Sequence, residues 1–304
     1  MKMRLLEAAT TLALCLAGPL FAQSSTPATT AAAPAKAAHP ALWVVKDADT
    51  TLYLFGTIHV LKPGYGWFDG AVKKAFDESK LLVLELPDAD EKAAQPLVMK
   101  LATATDGKTL TARLPEPARD HYVKAMTGLG LPPQAFDTFE PWFAAVNLGL
   151  IPALKAGYDP NSGAEKTLTA AAKAQGKRIA GFETLEQQLG YFDTMPIPLQ
   201  IKFLDETAKE SGKASETLDK MVTQWAAGDP EALGRTINQG MRSQPEVGRL
   251  LLADRNKRWA AVIKDMMAEP GTVFIAVGAG HLAGADSVQA QLKRYRLSAT
   301  RITQ

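Results

Sequence analysis

Two stretches of the sequence share one pattern, YLFGTIHVL at 53–61 and IAVGAGHLA at 275–283. In each, an apolar run that predicts a β-strand is followed by Gly-x-x-His. The glycine permits a tight turn or a close backbone approach, and the histidine then projects just past the strand. In open parallel sheets, ligands bind at the carboxyl ends of the strands. The repeated pattern therefore predicts that His59 and His281 lie at one binding edge.

The apolar runs of the sequence predict five strands, at 51–55, 81–86, 178–182, 272–277 and 297–302. The first and the fourth of these precede the two histidines. Several of these runs lack polar alternation, which is typical of strands that are covered on both faces. Helical patterns fill the intervals, and the strand–helix–strand order of 51–86 favours a parallel pair. We expect an α/β fold with a mainly parallel or mixed central sheet, flanked by helices, and a helical insertion at about 190–245.

The ends of two helices carry capping signals. SGAE at 162–165 and TLEQ at 184–187 both have the form of a capping box. A long helix is expected at about 245–267, followed by a last helix at 284–295. We expect residues 41–304 to form a single domain.

The N-terminus has the features of an export signal. Residues 1–22 combine Lys2 and Arg4 with an apolar run that ends in Phe21-Ala22. Residues 23–40 are rich in Ala, Thr, Ser and Pro and predict a flexible linker. Cys15 is the only cysteine of the sequence, so cleavage near Ala22 leaves a thiol-free chain suited to an oxidising compartment. We expect a periplasmic or secreted protein without a stable membrane anchor.

Two glutamates follow strands in the same way as the histidines. Glu85 interrupts the apolar run LLVLEL, where an unpaired carboxylate is costly to bury, and Glu183 follows RIAGF. Imidazole and carboxylate together are the ligand set of a first-row divalent metal. Each residue also has a simpler explanation. The histidines are compatible with structural hydrogen bonding, Glu85 with a salt bridge or an edge strand, and Glu183 with a position before a helix N-cap.

The long helix contributes two more polar candidates. Arg255 and Asn256 fall into its apolar stripe by three- and four-residue spacing, which predicts that they face inward. A buried guanidinium could anchor a substrate carboxylate or one of the glutamates. A tilted helix that keeps Arg255 at the rim is the competing interpretation. Asp159 precedes a helix, either as a ligand of the site or as part of a simple turn.

These motifs together resemble the TraB/GumN family, which is related to the Tiki proteases. The matching features are GTIH at 56–59, VLELP at 83–87, GYDP at 157–160, GFETLEQQ at 181–188, Arg255-Asn256 before Trp259, and VGAGHLAG at 277–284. The resemblance runs from about Trp43 to the C-terminus. It implies a fold related to erythromycin esterase-like and ChaN-like proteins, and an active centre made of the two histidines and the glutamate.

The residues and the resemblance lead to one leading hypothesis and two alternatives. The leading hypothesis is a metal-dependent, peptidase-like hydrolase in which His59, Glu85 and His281 bind Mn, Co or Zn. Glu85 would be the third ligand or the general base, and Glu183 and Arg255 would orient a ligand or stabilise the oxyanion. Asn256 and Asp159 would contact substrate. The alternatives are a non-enzymatic binder of a haem-like ligand and a metal-independent esterase.

The charge of the chain limits its partners. The formal net charge is +2, and no strongly basic stretch gives a reason to bind nucleic acid or an anionic membrane. A peptide or an ester is the expected substrate. The sequence leaves the oligomeric state open, a dimer included, and also whether residues 190–245 cover the site.

Overall fold

The computed structural model describes residues 36–87, 91–241 and 243–303. The strands are β1 (Lys36–Ala37), β2 (Leu42–Lys46), β3 (Thr50–Thr57), β4 (Tyr65–Gly66), β5 (Leu81–Leu84), β6 (Arg178–Gly181), β7 (Gly271–Gly278) and β8 (Thr300–Ile302). Within the described residues, β1 and β4 form a small parallel pair, and the main sheet has the order β6-β5-β7-β3-β2-β8. Neighbours from β6 to β3 are parallel, whereas β2 is antiparallel to β3 and β8. The predicted α/β class with a mixed sheet is confirmed.

The helices lie mostly where the sequence pattern places them. They are α1 (Gly70–Glu78), α2 (Glu91–Ala102), α3 (Leu110–Arg113), α4 (Glu116–Gly128), α5 (Pro141–Lys155), α6 (Ala164–Ala174), α7 (Leu185–Asp193), α8 (Ile197–Glu210), α9 (Ala214–Ala226), α10 (Pro230–Met241), α11 (Pro245–Gly248), α12 (Asp254–Met266) and α13 (Val288–Leu292). Short 3-10 turns occur at Pro133–Phe136, Pro160–Ser162, Ser211–Lys213, Ala279–Leu282 and Lys293–Tyr295. No described helix combines the length and apolar character that a membrane crossing requires.

Successive side chains of the central strands enter two different apolar cores, as the pleat of a sheet requires. Phe55 and Phe274 lie in the core that contains residues of α1, α6 and α9. Leu54 and Ile275 lie in the opposite core, which contains residues of α12 and α13. The sheet is therefore covered on both faces, which explains its continuous apolar strands.

A further core is built from helices alone. It joins buried residues of α2, α4, α5, α7 and α8 with Val247 and Leu251. The predicted helical region at 190–245 is helical in α8, α9 and α10. Its members divide between cores, however, because α9 packs on the sheet core while α8 packs in the helical core.

The predicted parallel relation of strands 51–55 and 81–86 holds, but the two strands are not neighbours. Strand β7 lies between β3 and β5 and pairs with both, with Gly56 opposite Val277 and Leu84 opposite Ala276. This insertion matters because the two Gly-x-x-His segments then follow adjacent strands. A strand that was not predicted, β2, extends the sheet beyond β3.

Two local expectations need correction. Residues 36–40 were expected in the linker, but β1 pairs with β4 and Ala38 is buried in the sheet core, so the folded part begins earlier. The capping box expected at 162–165 is absent, because Gly163 is the N-cap of α6 and has no side chain to accept a hydrogen bond. The capping box of Thr184 and Gln187 is confirmed. The predicted signal peptide and linker residues 23–35 lie outside the described residues.

The long helix predicted at 245–267 contains an irregular turn. Residues Arg249–Ala253 form a π-helical segment between α11 and α12. Such π segments are frequent at functional sites, where they change the direction of the side chains that follow. Arg255 comes two residues after this segment.

The first testable prediction concerns the contact between the two glycine–histidine segments. A Cβ added to Gly56 would lie 3.1 Å from Ala279 Cα and 3.2 Å from Ala279 Cβ. Because the neighbouring backbone must move to accept it, Gly56→Ala should lower the free energy of unfolding by about 1–3 kcal/mol. Urea unfolding measures this change.

A matched control is available in helix α7. A Cβ on Gly190 meets nothing within 4 Å, so Gly190→Ala should leave the protein as stable or up to about 1 kcal/mol more stable. Equal stability of the two variants would show that the segments do not pack as closely as described.

Candidate functional site

Four strand ends deliver polar side chains to the same edge of the sheet. Glu85 directly follows β5, and Glu183 comes two residues after β6. His59 comes two residues after β3, and His281 lies in the 3-10 turn that follows β7. All four side chains are buried; His59, at 7% exposure, is the most accessible. The parallel order of these strands explains why residues far apart in sequence meet here.

The centre of the site lies beside Gly278. The position of a Cβ on this glycine is 3.0 Å from Glu85 Oε1 and 3.0 Å from His59 Nε2, so these two atoms are at most twice that distance apart. His281 Nε2 lies 3.5 Å from the same Glu85 oxygen. Any side chain at position 278 would fill the space that the three groups share, which explains why the strand ends in glycine.

Arg255 crosses the site and is buried, as its place in the apolar stripe predicts. Its Nη2 donates to Glu85 Oε2 at 2.6 Å and to Glu183 Oε2 at 2.7 Å. Its Nε donates to both oxygens of Glu183, and its Nη1 donates to the carbonyl of Leu251 at 3.1 Å. One guanidinium therefore links helix α12 to two strand ends, using the planar donor set that arginine provides.

Glu183 is held by several donors besides Arg255. Gln188 Nε2 donates to it at 3.1 Å, Tyr191 Oη at 3.0 Å and Trp259 Nε1 at 3.1 Å. A carboxylate with this many donors is well satisfied although it is buried. The contacts of Glu183 thus make it the anchor that fixes the Arg255 side chain.

The protonation of His281 follows from its partners. Asn256 Nδ2 donates to the carbonyl of Asp286 at 2.8 Å, which directs Asn256 Oδ1 toward His281 Nδ1 at 2.6 Å. Because an amide oxygen only accepts, Nδ1 carries the proton. His281 Nε2 then accepts from Arg255 Nη1 at 3.2 Å. Asn256 was expected to bind substrate. Its amide oxygen instead contacts the His281 ring, and its amide nitrogen is held by the Asp286 carbonyl.

The pKa of His281 is lowered to about 3 from the ordinary histidine value of 6.5. Burial is the main cause, and the positive charge of Arg255 adds to it, while Glu85 acts in the opposite direction. This ring is therefore neutral at physiological pH, in agreement with its hydrogen bonds.

Glu85 is ionised in spite of its burial. Burial raises its pKa, but the charge of Arg255 and the hydrogen bond from the Gly278 N–H are among the causes that lower the pKa to about 2. We attribute the low pKa chiefly to Arg255 and Gly278, because His281 is neutral. The Gly278 N–H donates to Glu85 Oε1 at 2.6 Å. A carboxylate held in this way is a poor proton acceptor at neutral pH.

A residue missed by the sequence reasoning completes the surroundings of His59. Glu165 Oε1 lies 2.6 Å from His59 Nδ1. The sequence reasoning treated Glu165 only as part of a capping box. Its position three residues after Ser162 gives no indication that the start of helix α6 contacts His59.

Asp159 and the surface-side His121 lie outside this cluster. Asp159 caps the Pro160–Ser162 turn, where its carboxylate accepts hydrogen bonds from Asn161, and its backbone pairs with Leu61. These contacts correspond to the turn interpretation. His121 lies in α4 and pairs with Asp205 at 2.8 Å on the surface of the helical part.

Two of the three side chains expected to bind a metal, Glu85 and His281, are engaged by other groups. Among the described residues, no group of three His, Cys, Asp or Glu side chains is arranged to hold a metal ion. Glu85 accepts from Gly278 and Arg255, and the lone pair of His281 Nε2 accepts from Arg255. The guanidinium also places a positive charge beside both side chains, which opposes a second cation. In this arrangement the residues do not fit a divalent metal.

The second prediction follows from the low pKa of His281. A histidine with a pKa of about 3 in the fold and 6.5 when unfolded stabilises the fold fully above pH 6.5 and loses this contribution as the pH falls. In the presence of a chelator, the free energy of unfolding should drop by about 2 kcal/mol between pH 6.5 and 5.0. Urea titrations at the two pH values measure it.

Two variants assign this pH dependence to its source. His281→Gln should flatten the slope between these pH values, whatever its own stability. His121→Gln, which removes a half-buried histidine outside the site, should retain the slope. The same slope in His281→Gln as in the wild type would show that His281 is not a buried neutral group.

Comparisons with known proteins give relatives that span nearly the same length. YbaP of Escherichia coli (strain K12), described as uncharacterized, is 24% identical over 258 residues, covering 84% of this chain and 92% of the relative. An uncharacterized protein of Treponema pallidum (strain Nichols) is 22% identical over 269 residues, covering 84% and 80%. No solved structure matches the chain.

The sequence model of the TraB/PrgY/gumN family matches residues 41–301, a range that includes both Gly-x-x-His segments, both strand-borne glutamates and the Arg255-Asn256 pair. The resemblance found in the motifs is confirmed. The chain belongs to the TraB/PrgY/gumN family.

Proposed function

We propose that this protein is a hydrolase of ester or peptide bonds in which His59 is the general base. The observation that supports the proposal best is the position of His59 Nε2 beside Gly278, on the same side as Glu85 Oε1. A buried imidazole next to an ionised carboxylate is a common arrangement for removing a proton from an attacking water.

The state of the other groups favours His59 as the base. Glu85 has a pKa lowered to about 2 and therefore binds a proton weakly. His281 has its lone pair directed to Arg255, and Glu183 is held by four side chains. An imidazole is also the side chain that most commonly serves as a general acid or base in enzymes.

The proposed reaction begins with a water molecule beside His59. Nε2 takes one proton of the water while the water oxygen forms a bond to the substrate carbonyl carbon. The electron pair of the carbonyl double bond moves to the carbonyl oxygen. Collapse of the tetrahedral intermediate breaks the bond to the leaving alcohol or amine, which receives the proton back from Nε2. The ionised Glu85 stabilises the positively charged imidazole between these two steps.

The arrangement also bears on the metal expected from the sequence. Arg255 occupies the side of Glu85 and His281 on which a cation would be needed, so no step of the proposed reaction passes through a metal ion. A metal-dependent hydrolase would require the Arg255 side chain to leave both partners. That outcome is the alternative that the experiment below separates from ours.

The third prediction concerns hydrolysis itself. The full chain, purified without added metal, should cleave members of a panel of p-nitrophenyl esters and short peptides, and its activity should survive exhaustive chelation. His59→Ala should lower kcat/KM by about 100-fold or more, because a general base contributes about that much. Release of p-nitrophenolate and mass spectrometry of the peptides measure the products.

The chain offers a matched control for this variant. His121 is a half-buried histidine that is paired with Asp205 and lies outside the site, so His121→Ala should retain full activity. Loss of activity on chelation, with recovery on adding one equivalent of a divalent ion, would contradict the metal-free proposal. Activity that persists in His59→Ala, or no cleavage in the panel, would contradict the hydrolase.

We further propose that the enzyme acts outside the cytoplasm, in the periplasm or the medium. The support is the predicted signal at 1–22 and the absence of cysteine after Cys15. The exported protein should begin at Gln23, as measured by intact mass. A form that retains Met1 would contradict the location, and a form that begins at Cys15 would contradict the cleavage site.

A further inference from the structure

The first turn of helix α6 packs directly on the backbone of His59. The Ala164 N–H donates to the Ile58 carbonyl at 3.0 Å. A Cβ on Gly163 would lie 2.2 Å from the His59 carbonyl oxygen, so only glycine permits this approach. The helix start and the histidine turn are thus fixed relative to each other by backbone contacts.

This approach places the Glu165 carboxylate against the ring of His59. The side chain of Glu165 is 20% exposed, and its Oε1 lies 2.6 Å from His59 Nδ1. Burial would raise the pKa of Glu165, but the positive charge that the nearby His59 ring carries when protonated lowers it. An ionised carboxylate only accepts hydrogen bonds.

We propose that Glu165 is a positioning residue that keeps the proton of the neutral His59 ring on Nδ1 and directs the Nε2 lone pair toward Gly278. Since the carboxylate 2.6 Å from Nδ1 can only accept, its charge favours the neutral ring with the hydrogen on Nδ1, and Nε2 is then the basic atom. The same anion stabilises the imidazolium that forms when Nε2 takes a proton from water. The catalytic part of this inference rests on the proposed function, whereas the tautomer does not.

Glu165 and Glu85 lie on opposite sides of the His59 ring. Glu85 Oε1 lies on the Nε2 side of the ring, near Gly278, while Glu165 lies on the Nδ1 side. His59 is therefore placed between two carboxylates, and Glu165 is the one that fixes which nitrogen faces the centre. If Glu165 only stabilised the start of helix α6, it would not determine which nitrogen of His59 carries the hydrogen.

Histidine-selective ¹⁵N NMR on the full chain tests the inference without a substrate. The chain has four histidines, so the ring signals can be assigned by single substitutions. At a pH of about 8, His59 should show the tautomer with hydrogen on Nδ1. Glu165→Gln, which retains the shape but removes the charge, should lower the pKa of the His59 ring by about one unit.

A matched substitution separates a site effect from a general charge effect. Glu216 lies in the first turn of α9, as Glu165 does in α6, but is exposed. Glu216→Gln should leave the His59 signals unchanged. In the hydrolysis assay, Glu165→Gln should lower kcat by about 10-fold with little change in KM, and should shift the acid limb of the kcat/KM profile to lower pH.

The outcomes distinguish this inference from the proposed function. A wild-type His59 ring with its hydrogen on Nε2, or a ring pKa that Glu165→Gln leaves unchanged, would overturn the positioning role regardless of activity. The expected tautomer and pKa change in a protein that hydrolyses nothing would support the positioning role and contradict the hydrolase.

Discussion

The guanidinium of Arg255 is the contact on which the arrangement of the site depends. It lies between the carboxylates of Glu85 and Glu183 and reaches both strand ends from helix α12. Two carboxylates buried side by side repel each other, and removing the cation between them would leave charges without compensation. The ion pairs of Arg255 therefore fix helix α12 to the carboxyl edge of the sheet. They also define how the helix is oriented relative to the strands.

Several features of the fold serve to hold this cation in place. The π-helical segment Arg249–Ala253 precedes it and supplies the Leu251 carbonyl as an acceptor. Trp259, one turn later on α12, lies under the guanidinium at 4.7 Å and donates to Glu183. Asn256, which directly follows Arg255 in the helix, orients His281. A short segment of one helix thus sets the position of two strand-borne side chains.

Much of this centre could be predicted from local sequence. Apolar runs followed by Gly-x-x-His or by a glutamate identify strand ends, because a strand side chain direction is fixed by a period of two residues. Arg255 and Asn256 were predicted to face inward from helical spacing alone, and both are buried. These signals are local, so they survive without knowledge of which elements are neighbours.

The features that were missed depend on contacts between distant parts of the chain. Strand β7 enters the sheet between β3 and β5, and no local pattern records that order. The contact of Glu165 with His59 requires the start of α6 to meet a turn about a hundred residues earlier. The engagement of Glu85 and His281 by Arg255 was likewise hidden, and it is the reason why we propose an acid–base centre in place of a metal centre.

The measurement that tests this account most directly is a high-resolution crystal structure of the full chain grown with Mn²⁺ or Zn²⁺, with anomalous data collected at the edge of the metal. The account predicts Arg255 between Glu85 and Glu183, with no anomalous peak near His59 and His281. An ion bound by His59, Glu85 and His281, with the Arg255 side chain turned away, would contradict it.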